Sequence, residues 1–183
     1  MMFNPNFSLF PELTTRRFVL REINDADAPL IHELRSDRET NALIGRENSN
    51  GLGDALLHID RIKKNVQRNE SLYWVICFEN SSDLIGTIGF WNYDISAQAA
   101  EIGYELLANF RRQGIMSEVL PRVVQFGFEQ MKLKLIAAFS SDQNDGSIKL
   151  LEKCGFRLAS SNDDIPYEHV PGLLTLILDQ RAK

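Results

Sequence analysis

The sequence predicts an α/β sandwich built on a mixed, mostly antiparallel sheet of about seven strands with about four flanking helices. Three observations predict it. Short apolar or alternating runs are separated by longer stretches of helical period. The middle of the chain holds two apolar runs joined by Asn80-Ser81-Ser82-Asp83, a hairpin turn. After that hairpin, strand and helix patterns alternate, as strand–helix–strand units do. No repeat and no linker divides residues 1–183, so a single domain is expected, with residues 1–13 as an arm.

The arm carries Phe3, Phe7, Leu9 and Phe10, which could pack on the body or on a partner subunit. Arg17 to Ile23 alternates as a first strand. Asn24-Asp25-Ala26-Asp27 supplies helix-start chemistry, and Leu30, Ile31 and Leu34 give a short apolar face ending near Ser36. Asp37 to Gly53 is polar and reads as a loop, most clearly at Asn48-Ser49-Asn50-Gly51-Leu52-Gly53. It is a flexible connection or a wall of an acceptor site. A helix follows from about Asp54 to Asn69, with Leu56, Ile59, Ile62 and Val66 as its buried face.

Leu72 to Phe78 is almost wholly apolar, as a strand covered on both faces should be. Leu84 to Trp91 returns from the turn, and Gly86 and Gly89 mark a bulge or a close backbone approach. Ala99 to Leu107 places Ala100, Ile102, Tyr104 and Leu106 on one face and Glu101, Gly103, Glu105 and Leu107 on the other. Met116 to Met131 is helical, with Met116, Leu120, Val123, Gly127 and Met131 along one stripe. Pro121 conflicts with that helix at a cost of up to about 3 kcal/mol unless it lies in the first turn. Leu133 to Phe139 is the next strand. Asn144 or Asp145 caps a short helix ending at Cys154, with Gly155 as a left-handed cap. Phe156 to Ala159 and Leu173 to Asp179 are the last strands, joined by a loop holding Tyr167, Glu168 and His169.

Charge and composition exclude several functions. The chain is 44% hydrophobic and carries a net charge of −5, so a broad phosphate-backbone surface for nucleic acid is not expected. No apolar run would span a bilayer. The N-terminus has no basic region followed by an apolar run, so no signal peptide is expected and a cytoplasmic location is. Two cysteines, Cys77 and Cys154, make neither a disulfide framework nor a zinc set, and His32, His58 and His169 have no metal-ligand spacing. No metal is expected. The N-terminal arm and a free sheet edge make a homodimer plausible.

The strongest functional signal is Phe110-Arg111-Arg112-Gln113-Gly114-Ile115-Met116-Ser117, a loop feeding a helix. A helix N-terminus presents unpaired N–H groups and partial positive charge, which suits phosphate. Gly114 admits close backbone approach, and Arg111 and Arg112 can add charge-assisted bonds. A solvated connection is the plainer reading. No Gly-Lys-Ser/Thr or Gly-x-Gly-x-x-Gly is present.

Arg111-Arg112-Gln113-Gly114-Ile115-Met116 resembles the acyl-CoA pyrophosphate loop of GNAT N-acetyltransferases, Arg/Gln-x-x-Gly-x-Gly/Ala, with Met116 in place of the final small residue. That replacement, and Asn144-Asp145-Gly146-Ser147 followed by Glu152-Lys153-Cys154-Gly155-Phe156, are similar to the RimJ/RimL branch, which acts on ribosomal proteins and other amines. With Ala100 to Tyr104 and Arg17 to Arg21, the resemblance covers roughly residues 14–178. It implies acetyl-CoA as cosubstrate. The pyrophosphate would lie on the backbone of Arg111, Arg112, Gln113, Gly114, Ile115, Met116 and Ser117. The pantetheine would pair with the strand edge at Leu106 and Leu107 and with Asn144. It also implies Glu101 as general base, with Glu105 the weaker choice, and Ser147 serving the leaving thiolate. Many GNAT enzymes have a Tyr acid where this chain has Leu151. Tyr104, Tyr167 and His169 could line the site. The leading expectation is acetyl transfer to a protein N-terminal amine. A small amine, an acyl-CoA sensor without turnover, and a binder of another nucleotide are the alternatives.

Overall fold

Eight strands form one sheet in the computed structural model, which describes residues 6–7, 9–168 and 170–180. Phe3 and His169 lie outside the described residues. The chain runs β1 (Leu13–Thr14), β2 (Phe18–Glu22), α1 (Ala28–Leu34), α2 (Arg38–Ile44), α3 (Leu52–Gln67), β3 (Leu72–Phe78), β4 (Gly86–Asp94) and β5 (Ala99–Leu106). It continues as α4 (Ile115–Glu129), β6 (Leu135–Ser141), α5 (Asp145–Lys153), β7 (Arg157–Leu158) and β8 (Leu173–Asp179). The spatial order is β1-β2-β3-β4-β5-β6-β8-β7, and β5–β6 is the parallel pair in an otherwise antiparallel sheet.

The apolar run of β3 is explained by cover on both faces. Trp74 and Ile76 join Phe90, Ile102, Leu120 and Phe126 in the core under α4. Val75 and Cys77 point the other way, to Ile31, Ile59 and Ile62 of α1 and α3. Both cysteines are free thiols, and burial pushes each of them up. Trp74 stands edge-on to Phe90 and Phe126, with centroids 6.3 and 5.5 Å away, and its Nε1 donates to the Pro11 carbonyl at 2.7 Å. That bond anchors the N-terminal arm. Phe7 packs on Phe126 and Phe10 on Trp74, so these arm residues bury against their own chain.

The α4 stripe holds as read: Met116, Leu120, Val123, Gly127 and Met131 are all buried. Gly127 is required by close approach, since a Cβ there would sit 2.9 Å from Phe90 Cζ and 3.2 Å from Leu133 Cδ1. Gly127→Val is therefore expected to lower stability by about 1–3 kcal/mol, read as a lowered midpoint in thermal or urea denaturation. Pro121 is the seventh residue of α4, not in its first turn. It lies on the exposed side, so the carbonyl of Ser117 that loses its partner sits on the solvent side of the helix.

Four expectations are corrected. The polar stretch after Asp37 contains α2, capped by the Asp37 side chain on Thr40 N–H at 2.8 Å and closed by left-handed Gly45. Its cap residues were visible, but it buries Asn41 rather than an apolar stripe, so periodicity could not show it. In α3 the buried positions are Ala55, Ile59 and Ile62, whereas Leu56 is exposed. The helix is rotated so that small Ala55 faces α1 and the sheet. A short β1 precedes β2, and the strand expected from Phe156 reduces to Arg157–Leu158. Both sheet edges are thus two-residue strands.

The pairing of β5 with β6 breaks off part-way along both strands. β5 pairs with β6 at Ala99↔Leu135, Ala100↔Ile136 and Glu101↔Ala137, and there the parallel pairing ends. β5 continues along β4 to Leu106, while β6 continues along β8 to Ser141. Beyond Glu101 the two strands part and leave a gap in the middle of the sheet.

Candidate active site

The gap is bordered by groups the sequence singled out. Leu107 N–H donates to the Ile85 carbonyl on the β4 side. Strand alternation then turns the N–H and C=O groups of Tyr104 and Leu106 towards the gap. The Leu106 carbonyl accepts from Arg111 Nε at 3.2 Å, consistent with that direction. α4 starts beside the end of β5, with left-handed Gly114 (φ 72°) as its N-cap and no side chain capping it. α5 starts beyond the end of β6, with the Asn144 oxygen accepting from Ser147 N–H at 3.1 Å. Capping thus occupies the Asn144 oxygen and leaves its amide NH₂ to donate.

The loop before α4 is held from both sides. Arg17 donates Nε to Glu118 at 2.7 Å, Nη1 to the Gln113 carbonyl at 3.4 Å and Nη2 to the Gly114 carbonyl at 3.2 Å. Carbonyls turned to Arg17 leave the N–H groups of the first turn of α4 facing the opposite way. Ile115 and Met116 bury their side chains in the core, so a ligand could meet only their backbone. That placement explains how Met116 can occupy a position the resembling motif keeps small. Arg112, Gln113, Gly114 and Ser117 are exposed, and Arg112 is left-handed (φ 61°).

Arg111 has a structural task. Its Nη2 donates to Asp37 at 2.7 Å and Thr40 at 3.0 Å, tying the loop to the start of α2. Burial pushes the Asp37 carboxyl up, but the Thr40 N–H and Arg111 outweigh it and hold it below the usual range. Beside this tie lies a cleft of about 470 Å³, lined by His32, Ser36, Leu106, Leu107, Ala108 and Arg111 among others.

Glu101 and Ser147 fall on opposite faces of β5. On one face the Tyr104 hydroxyl lies 3.0 Å from Ser147 Oγ, bridging β5 and α5 across the gap. Burial pushes Tyr104 up to about 12, so it stays a phenol near neutral pH. On the other face Glu101 is half-buried and accepts from Asn92 Nδ2 and from the Trp91 side chain. Burial raises its pKa, and those bonds only partly oppose the rise. Tyr167 donates to the Asn92 carbonyl at 2.9 Å, and burial together with the Glu101 and Asp94 charges pushes its phenol up. Thus Tyr167, from the loop after β7, is tied to the residue that bonds Glu101. Glu105, the weaker choice, has both oxygens in a bidentate pair with Arg46 at 2.6 and 2.7 Å.

Sequence reasoning missed Asn92, Trp91, Arg17 and Arg46. Asn92 sits at an irregularity of the β4–β5 register with φ 48°, and an Asn in an apolar strand was the available signal. Arg17 and Arg46 act across long sequence separations, which no local pattern encodes. Among the described residues no cluster of His, Cys, Asp and Glu could hold a metal ion, and no helix is long and apolar enough to cross a membrane.

Known proteins resemble this chain in sequence and in fold. The acetyltransferase (GNAT) domain family model matches residues 17–157. An uncharacterized N-acetyltransferase of Bacillus subtilis (strain 168), YoaA, is 36% identical over 149 residues, 81% of this chain and 84% of the relative. Mycobacterium smegmatis RimJ in complex with CoA-disulfide superposes with a TM-score of 0.74 at 19% identity, covering 93% of this chain and 87% of that one. Spermidine N-acetyltransferase from Vibrio cholerae in complex with CoA and spermine has a TM-score of 0.75 at 17% identity, covering 90% of this chain and 96% of that one.

Proposed function

Because this chain belongs to the GNAT acetyltransferase family and is an acetyl-CoA-dependent N-acetyltransferase, we propose that it acetylates the N-terminal amine of a protein, with the gap between β5 and β6 as its acetyl-CoA site. The observation that carries the site is the early end of β5–β6 pairing, which leaves strand-edge groups of Tyr104 and Leu106 facing the gap between two helix starts. Pantetheine amides can add to that edge as a peptide adds to a sheet. The first turn of α4 then receives the pyrophosphate, and Asn144 Nδ2 donates to the pantetheine arm.

The reaction needs a deprotonated amine, a stabilised oxyanion and a stabilised thiolate. Glu101 takes the ammonium proton from one side of β5, directly or through one water. A gap-facing N–H of β5 donates to the thioester oxygen as it becomes an oxyanion. The sulfur leaves on the other side, towards Ser147 and Tyr104. Full proton transfer from a phenol at about 12 to a thiolate near an ordinary thiol value would be uphill by on the order of 5 kcal/mol. The pair therefore works by hydrogen bonding to the thiolate, with Tyr104 holding the Ser147 hydroxyl in place. Ser147→Ala is expected to lower kcat by about tenfold to a hundredfold with acetyl-CoA affinity near normal, measured by steady-state kinetics beside calorimetry. An unchanged kcat would remove Ser147 from the chemistry.

Support for a protein acceptor comes from the likeness to RimJ, whose name belongs to the ribosomal-protein branch that the 144–156 motif resembles. The spermidine N-acetyltransferase neighbour favours a second reading, a small polyamine. The deciding experiment is an acetylation assay with acetyl-CoA, offering peptides with N-terminal Ala or Ser beside spermidine. Turnover of peptides alone supports the first reading, and turnover of spermidine alone overturns it.

A further inference from the structure

Arg46 and Arg61 reach the sheet face that carries Glu101, through Glu105 and through His58 on Tyr73, and Arg35 adjoins Arg46 through Asn41, whose Nδ2 donates to the Arg35 carbonyl at 2.9 Å. Arg35 closes α1, Arg46 follows α2 and Arg61 lies within α3. Arg46 gives its Nη1 and Nη2 to the two oxygens of Glu105, and its Nε to Asn41 Oδ1 at 2.7 Å. Arg61 Nη2 lies 3.0 Å from His58 Nδ1, and the His58 ring stands edge-on to Tyr73 at 6.3 Å. Burial, followed by the charges of Arg35, Arg61 and Arg46, pushes His58 down to about 3, so the imidazole is neutral and can accept from Arg61. Glu105 is the carboxylate facing this group, and Arg46 occupies both of its oxygens. Arg35 and Arg61 enter no ion pair among the described residues.

The balance is three guanidinium charges against one carboxylate. Arg35 is half-buried, and burial first, then Arg46, disfavours its charge. Placing a cation there without an anion costs stability, which an arriving anion would return. The same face continues along β5 past Gly103 to Glu101. Trp91 lies over Gly103, where an added Cβ would meet the ring. Glu105 and Glu101 are four residues apart on one strand, about 13 Å at ordinary strand rise.

We propose that Arg35, supported by Arg46 and Arg61, receives a side-chain carboxylate of the acceptor, so that the enzyme selects proteins with Asp or Glu at their third or fourth residue. The spacing sets the position. An extended chain covers about 3.4 Å per residue, so such a carboxylate lies about 10–12 Å from the N-terminal amine. The amine and carboxylate of a free amino acid are too close together to reach both ends, and a polyamine would meet like charge. This inference rests on the protein N-terminal reading above.

The test compares two decapeptides that begin with Ala and differ only in Glu or Gln at residues three and four. Wild-type enzyme is expected to favour the Glu peptide by about tenfold or more in kcat/KM, chiefly through KM. Arg35→Gln should bring that ratio close to one, Arg35→Lys should keep part of it, and Arg61→Gln should reduce it. A general loss of folded enzyme cancels in the ratio. Equal kcat/KM for the two peptides in wild type would overturn this inference while leaving the N-terminal reading intact. Turnover of spermidine with neither peptide acetylated would overturn both.

Discussion

Gly114→Glu is expected to abolish saturable acetyl-CoA binding, measured by calorimetric titration of the folded variant. Two effects add. Gly114 is left-handed at φ 72°, and an L-residue there costs about 1–2 kcal/mol. The larger effect is a carboxylate placed at the start of α4, where the pyrophosphate would use the same N–H groups and the same partial positive charge. There is physical room for the side chain, since the nearest atom to an added Cβ is Arg17 Nη2 at 3.8 Å. The loss would therefore report charge at the site rather than a collapsed loop. Gly114→Ala carries the backbone cost alone, which falls on folding stability, and should leave binding far less affected. Normal affinity in Gly114→Glu would move the cosubstrate away from this loop.

Glu101→Gln should lower kcat by about a hundredfold to ten-thousandfold with acetyl-CoA affinity near normal. The pH profile supplies the sharper test. A general base works when deprotonated, and burial raises the Glu101 pKa. Wild-type kcat should thus fall with decreasing pH along a limb lying above the ordinary carboxylate value, and the variant should lack that limb. Stability has the opposite sense. A raised folded pKa means the native state holds its proton more tightly than the unfolded chain. Glu101 therefore costs stability as pH rises through that window, and the variant should melt no lower than wild type at neutral pH. An unchanged pH profile would remove Glu101 as the base. Glu105 would not replace it easily, because Arg46 holds both of its oxygens.

Much of the candidate site was legible because its parts are local. The α4 loop announces itself through Gly114 between a strand and an amphipathic helix, and Asn144 through helix-cap chemistry three residues before Ser147. The alternation of β5 was enough to set Glu101 and Tyr104 on different faces. Arg111 shows the limit of such reading. Near a phosphate loop it looks like an anion ligand, yet its Nη2 binds Asp37 and Thr40, more than seventy residues earlier. The helix that carries Thr40 was itself hidden, because α2 rests on caps and on Asn41 rather than on an apolar stripe.

By itself the sequence determined the secondary structure of most of the chain, the family, and the short segments whose backbone or caps are proposed to meet the cosubstrate. Each depends on residues a few positions apart, where periodicity, caps and glycine freedom act directly. The tertiary structure alone decided where β5 parts from β6, which carboxylate stays unpaired by arginine, and which arginines are already engaged. Those are outcomes of contacts between distant segments. Arg46 with Glu105, Arg17 with Glu118, and Tyr104 with Ser147 are 59, 101 and 43 residues apart. Such pairings follow from how helices and strands stack, because packing, not sequence order, brings opposite charges and hydroxyls within bonding distance.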